Sequence, residues 1–123
     1  MMKKIMIVDD QPEVRELVEV TLLSDDYVIL HADTGRKAIE MAKREKPDVI
    51  LMDIMMPGGI DGLEAVRILK SNPDTKDLYV ILLTAKGQKK DIEIGLLAGA
   101  DDYFVKPFSP LMLINKIEEV MKK

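Results

Sequence analysis

Five side chains carry the chemistry this sequence offers: the adjacent carboxylates Asp9 and Asp10, a third carboxylate at Asp53, the hydroxyl of Thr84 and the ammonium of Lys106. Each stands at or just past the end of a short apolar run. Asp9 follows Ile5-Met6-Ile7-Val8, Asp53 follows Val49-Ile50-Leu51-Met52, Thr84-Ala85 follows Tyr79-Val80-Ile81-Leu82-Leu83, and Lys106-Pro107 follows Tyr103-Phe104-Val105. A single Asp is a common turn former or cap, but equivalent placement sets these apart as a group. Three converging carboxylates repel one another. Two like charges ~4 Å apart interact by roughly 4 kcal/mol at an effective dielectric of about 20. Protonation or a cation must compensate. An oxygen-only donor set suits Mg²⁺, which keeps several waters and leaves room for a phosphate. It does not suit a metal that prefers nitrogen or sulfur. A phosphoryl group brings about −1.5 to −2 charge and three acceptor oxygens. Mg²⁺, Lys106 and Thr84 can each take one oxygen, and one carboxylate can act as the nucleophile, forming an acyl phosphate. The rest of such a transfer is positioning and charge neutralisation.

The elements that must position these groups are legible as alternation. A fifth apolar run, Tyr27-Val28-Ile29-Leu30, ends in His31-Ala32-Asp33. Most runs are rich in β-branched or aromatic residues and lack polar alternation, the pattern of strands covered on both faces. The segments between read as helices. Pro12 stands where one begins, with Val14, Leu17, Val18, Thr21 and Leu22 expected on one face. Asp33-Thr34-Gly35 supplies a cap ahead of Ala38, Met41 and Ala42. Asp61 caps a segment carrying Leu63, Val66 and Leu69, stopped by Asn72-Pro73. Lys89 to Leu97 is a weaker helix, with Gly95 inside and Gly99 closing it. Ser109 caps the last, whose stripe is Leu113, Ile114, Ile117, Val120 and Met121. Five strand–helix alternations imply an α/β fold, a mostly parallel sheet with helices on both faces. Ligands then bind beyond the carboxyl ends of the strands, where the five polar groups stand.

Composition narrows the classes. The 123 residues suffice for one domain with a real core. There is no run of eighteen apolar residues, so no membrane span is expected, and Met1 to Val8 lacks a small-residue cleavage site. The absence of cysteine excludes disulfides and thiol chemistry and fits a cytoplasmic protein. A single histidine excludes a multi-His metal site. A net charge of −4 gives no nucleic-acid footprint. Asp9-Asp10-Gln11-Pro12-Glu13 has no glycine where a nucleotide-phosphate loop would need it, and no nucleoside-triphosphatase loop is present.

In these residues the chain resembles the receiver domain of two-component response regulators and is similar to the single-domain chemotaxis regulator. The resemblance rests on Ile7-Val8-Asp9-Asp10, Asp53-Ile54-Met55-Met56-Pro57 with Asp61-Gly62, Leu83-Thr84-Ala85, Gly99-Ala100-Asp101-Asp102-Tyr103 and Lys106-Pro107-Phe108, spread from Lys4 to Met121. It implies one receiver domain over residues 1–123 and a five-stranded parallel sheet in order 2-1-3-4-5 (flavodoxin-like, doubly wound). It implies Asp53 as phospho-acceptor in an acidic pocket with Asp9 and Asp10. Asp10, Asp53 and the Met55 carbonyl would hold Mg²⁺. Thr84 would be the switch hydroxyl, Lys106 the phosphate contact and Tyr103 a switch aromatic. The phosphodonor would be a sensor histidine kinase or histidine phosphotransfer protein, and the output an unknown downstream effector, with no direct nucleic-acid or membrane binding by this chain. One departure is visible. Three residues, Gly58, Gly59 and Ile60, separate Pro57 from Asp61-Gly62, where the family usually has two.

Other residues read more plainly. His31 is expected as a strand-end polar residue and Met52 and Met56 as core filling. Lys86, Lys89 and Lys90 are expected as a solvated basic spot, and Lys122-Lys123 as a frayed helix end. Phe108 is balanced between packing behind Pro107 and anchoring a partner. Two alternative functions stand beside the main one. A Mg²⁺-dependent phosphohydrolase would place its nucleophile after the first strand, where Asp9-Asp10-Gln11 stands. A degenerate receiver scaffold would have lost acidic residues, yet all five site positions are filled.

Overall fold

The apolar runs become strands because β-branched side chains pack well on a pleated surface buried on both sides. The computed structural model describes residues 2–56, 59–85 and 89–122. Pro57, Gly58, Lys86 and Lys123 of the readings above lie outside the described residues. Five strands, β1 (Lys3–Val8), β2 (Tyr27–Ala32), β3 (Val49–Asp53), β4 (Tyr79–Ala85) and β5 (Asp102–Lys106), form one sheet in order β2-β1-β3-β4-β5. Every neighbouring pair is parallel. Five helices connect or follow them: α1 (Pro12–Leu22), α2 (Gly35–Glu45), α3 (Gly62–Ser71), α4 (Lys89–Leu97) and α5 (Pro110–Met121). This is the expected architecture and strand order.

The period-two alternation of the strands splits the interior in two. Ile5, Ile7, Val49, Leu51, Ile81 and Leu83 face α1 and α5, meeting Val18, Leu22, Leu113 and Ile117. Met6, Val8, Ile50, Met52, Val80 and Leu82 face the other way, toward Ala38 and Ala42 of α2 and Ala65, Val66 and Leu69 of α3. Gly95 brings α4 onto that second face. A Cβ there would lie 2.3 Å from Leu82 Cδ1, so glycine permits the close approach.

The helix starts are capped as expected. The side chains of Thr34, Asp61 and Ser109 accept from the backbone N–H of Lys37 (3.1 Å), Glu64 (2.9 Å) and Met112 (3.3 Å). Gly99 takes φ +116° just past α4. The Lys70 ammonium ties the end of α3 to the start of β4. It donates to the carbonyls of Leu78 (2.6 Å) and Lys76 (3.1 Å) and to Asp101 Oδ2 (2.9 Å).

The structure corrects two expectations, for Leu17 and for β5. Leu17 is 68% exposed. Val14, Val18 and Leu22, four residues apart, line up on the sheet, and Leu17 falls on the outer flank. His31 is the penultimate residue of β2, a strand-end polar residue as expected, and its Nε2 is 2.6 Å from Glu19 Oε1 of α1. The edge strand β5 is not buried on both faces. Tyr103 and Val105 are exposed while Phe104 is half-buried toward α5. Met52 and Met56 are core residues as expected. Phe108 packs locally, its ring 6.1 Å from that of Phe104. Lys89 and Lys90 are exposed.

Candidate functional site

The three aspartates meet at the carboxyl edge of the sheet because β1 and β3 are hydrogen-bonded neighbours ending at the same level. Val8 pairs with Met52, so the next residues, Asp9 and Asp53, emerge side by side. Asp9 is 1% exposed and Asp53 8%, whereas Asp10 is open to solvent. One carboxylate oxygen from each lies within 4.8 Å of the others, and this is the one such acidic group among the described residues.

Asp9 is held on every side. Its Oδ1 accepts the Gln11 backbone N–H at 2.9 Å and its Oδ2 accepts the Lys106 ammonium at 3.2 Å. Its carbonyl accepts Arg15 Nη1 at 2.6 Å. Lys106 arrives from the end of β5, where it pairs with Ala85 of β4. Its Nζ also lies 3.5 Å from Asp53 Oδ1. The Met55 backbone N–H donates to the Asp53 carboxylate. These two interactions do not offset what opposes ionisation. Burial, and then the charge of Asp9, push the Asp53 carboxyl up to about 6 from its ordinary 3.8. Three carboxylates thus face one ammonium in a partly desolvated pocket. All the donors are hard oxygens with charge in excess. That set fits a small divalent cation of the Mg²⁺ kind.

Thr84, the penultimate residue of β4, is fully buried, and its hydroxyl donates to the Ala85 carbonyl at 3.4 Å. Tyr103 is 41% exposed. The pairings Leu82–Tyr103 and Thr84–Val105 put Tyr103 and Thr84 on the same face of the sheet. The Met55 side chain is exposed while its backbone turns toward Asp53. The structure therefore brings Asp9, Asp10, Asp53, Met55 and Lys106 into one neighbourhood, with Thr84 on the adjoining strand and Tyr103 at the sheet edge.

Arg15 is a residue the sequence reading missed. It holds the β1–α1 turn through the Asp9 carbonyl, and its Nε is buried without a hydrogen-bond partner among the described residues. A cation that recognises a backbone carbonyl leaves no pattern in side-chain types. Its place one turn into a helix beginning beside the acidic pair was the available signal.

Comparison with known proteins agrees with this geometry. The family model described as response regulator receiver domain matches residues 5–118. The phosphate regulon transcriptional regulatory protein PhoB of Klebsiella pneumoniae is 38% identical over 123 residues, covering 100% of this chain and 53% of that protein. Its namesake in Pseudomonas aeruginosa is 41% identical over 121 residues, covering 98% and 52%. The chain thus spans about half the length of the curated relatives it matches. Among solved structures, a Chloroflexus aurantiacus J-10-fl protein assigned as a response regulator superposes with a TM-score of 0.92 at 32% identity, over 100% of both chains. The chemotaxis protein CheY4 of Vibrio cholerae superposes with a TM-score of 0.87 at 31% identity, over 98% of this chain and 99% of its own. With three aspartates and a lysine gathered where a parallel sheet presents its ligands, and a family match across nearly its whole length, this chain belongs to the response regulator receiver domains of two-component signalling.

Proposed function

We propose that residues 1–123 form one receiver domain, that Asp53 is its phospho-acceptor, and that Thr84 and Tyr103 relay phosphorylation to the surface. The observation that carries this reading is the Lys106 ammonium, 3.2 Å from Asp9 and 3.5 Å from Asp53, inside a cluster of three carboxylates. A lysine so placed lies where a phosphoryl group on Asp53 would put its new charge. Asp9 is the poorer nucleophile, because both its oxygens already accept hydrogen bonds and it is nearly inaccessible. That counts against a phosphohydrolase acting from the first strand. The filled acidic set counts against a degenerate scaffold.

In the proposed reaction an oxygen of Asp53 attacks the phosphorus of a phosphohistidine on a histidine kinase or phosphotransfer protein. The P–N bond breaks, and the imidazole leaves with the electron pair and takes up a proton. Asp10, Asp53 and the Met55 carbonyl would hold Mg²⁺, which when bound supplies the positive charge that lets an anionic carboxylate approach an anionic phosphoryl group. Lys106 neutralises a phosphoryl oxygen. Thr84 turns its hydroxyl toward another, a charge-assisted bond of roughly 1.5–3 kcal/mol before costs. Its movement makes room on the face it shares with Tyr103, whose inward turn reshapes the surface of α4, β5 and α5 for a downstream partner. The chain catalyses its own phosphorylation and dephosphorylation and turns over no separate substrate. No helix of the described residues is long and apolar enough to cross a membrane, and the cytoplasm is the proposed location.

The test is incubation with acetyl phosphate and Mg²⁺, read by intact mass. One phosphoryl adduct is expected. Asp53→Asn should eliminate it. Asp61→Asn should not, because Asp61 is the N-cap of α3. An adduct persisting in the Asp53 variant would assign the nucleophile elsewhere.

A further inference from the structure

The segment between β3 and α3 follows the proposed phospho-acceptor and carries the extra residue, and its two ends are closed on each other. Ile54 continues the sheet pairing by donating to the Leu83 carbonyl at 3.1 Å, and Gly62 returns to donate to the Ile54 carbonyl at 2.9 Å. The return is so close that a Cβ on Gly62 would lie 2.2 Å from the Asp53 carbonyl oxygen. Within this closed segment the side chains split. Ile54 is 1% and Met56 7% exposed, and Ile60 packs half-buried against the α2–α3 core, whereas Met55 between them points outward. Ile60 also rests on the first residue of α2. A Cβ on Gly35 would stand 2.7 Å from the Ile60 carbonyl oxygen and 3.0 Å from its Cγ2. Gly35 has no need of glycine for its own backbone, since it opens a regular helix and shows no positive φ. Its missing Cβ is the space that Ile60 occupies.

We propose that Ile60 and Gly35 form a clamp, outside the acidic pocket, that sets where the Met55 backbone stands relative to Asp53. Ile60 is thus a positioning residue for cation binding and phosphorylation, and Gly35 the seat that fixes it. With Ile54 tied to β4, Gly62 tied to Ile54 and Met56 sunk in the core, Ile60 is the apolar anchor among the described residues of the return half of the segment. Tightening the seat or removing the anchor shifts a segment whose other end presents the Met55 N–H to the Asp53 carboxylate. The inference rests on the reading of Asp53 as acceptor, and it deepens that reading by adding residues that touch neither metal nor phosphate.

The experiment compares wild type with Ile60→Ala, Ile60→Val, Gly35→Ala and Ile68→Ala. Ile68 is a half-buried α3 residue packed on the same core and serves as the control for simple loss of packing. Three quantities are measured: amide hydrogen exchange at Met55, Mg²⁺ affinity by calorimetric titration, and the melting temperature. Ile60→Ala and Gly35→Ala are expected to lose Met55 protection and to bind Mg²⁺ roughly tenfold more weakly, the lower end for outer-shell partners of a metal site. Ile60→Val should restore both, and Ile68→Ala should lower only the melting temperature. If Ile60→Ala melts lower but keeps wild-type Met55 exchange and Mg²⁺ affinity, Ile60 is packing alone and the proposal is overturned. A wild type that binds no Mg²⁺ would defeat the reading of the pocket instead. The Met55 amide would still decide the clamp, with unchanged exchange in both variants overturning it.

Discussion

Replacing Asp53 by asparagine should stabilise the metal-free protein, and only above acid pH. In the folded chain the Asp53 carboxyl holds its proton up to about 6, against 3.8 ordinarily. That gap amounts to roughly 3 kcal/mol between the two protonation states. The folded state binds this proton more tightly than the unfolded chain, so stability falls as pH rises from about 4 to about 6 and stays low above that. Well below 3.8 both states are protonated and the penalty vanishes. Asparagine removes the charge that Asp9 and burial oppose, and it keeps an oxygen to accept the Met55 N–H. At pH 7.5 in chelator the variant should therefore be more stable by about 2–3 kcal/mol. For a chain this long that is a rise in melting temperature of roughly 8–12 °C. At pH 4 the gain should shrink to about 0.5 kcal/mol. Millimolar Mg²⁺ should narrow the difference at pH 7.5, because it binds the folded wild type better than the variant. Urea and thermal unfolding from pH 4 to 8, with and without Mg²⁺, measure all of this. An equal gain at pH 4 and pH 7.5 would trace the effect to packing. A loss at pH 7.5 would mean that the Lys106 pairing outweighs burial and Asp9 together, and the electrostatic account of the pocket would fail.

Lys106→Met should lower metal-free stability at pH 7.5 by about 1–3 kcal/mol, since it strips the cation from a buried Asp9, yet tighten Mg²⁺ binding by removing a competing charge. Calorimetric titration showing weaker binding would argue against that competition. Thr84→Ala should still take a phosphoryl group on Asp53 but switch poorly. Nuclear magnetic resonance shifts over Lys89–Lys106 on adding a phosphoryl mimic should shrink, and wild-type shifts in the variant would exclude the hydroxyl as the relay. Lys70→Met loses an ammonium with three acceptors, so it should destabilise by about 1–3 kcal/mol. Its phosphorylation at Asp53 should stay at the wild-type rate, and a slowed rate would show that this anchor reaches the site.

The strand bodies and helix caps were readable because they depend on near neighbours. Ile5 to Val8 can only be a buried strand, and Thr34, Asp61 and Ser109 each cap a helix within three residues. The strand ends were less readable. β4 carries Thr84-Ala85 and β5 carries Lys106 inside their ladders, because pairing with a neighbour, not side-chain polarity, decides where a strand stops. The exposure of Tyr103 and Val105 follows from β5 lying at an edge, and edge position is a property of strand order. The His31–Glu19 pair needs β2 beside α1, and the contact of Gly35 with Ile60 needs two segments twenty-five residues apart. A three-dimensional neighbour of that kind has no local signature. The acidic site was legible for the opposite reason: its members recur at one kind of place, at or just past the end of an apolar run.

The sheet that separates the two hydrophobic clusters also separates their histories. A volume change at Val18 or Leu113 is felt by α1, α5 and one side of the strands, while Ala42 and Val66 sit behind the other side. Energies of substitutions far apart and without shared partners add. Drift in one compartment therefore leaves the other uncorrected and undamaged. A lineage can remodel what α1 and α5 present to one set of contacts without retuning the side that carries Ile54, Met56 and Ile60. Both compartments remain answerable to the three central strands, where a residue such as Leu51 or Met52 has no exposed surface and a neighbour on each side.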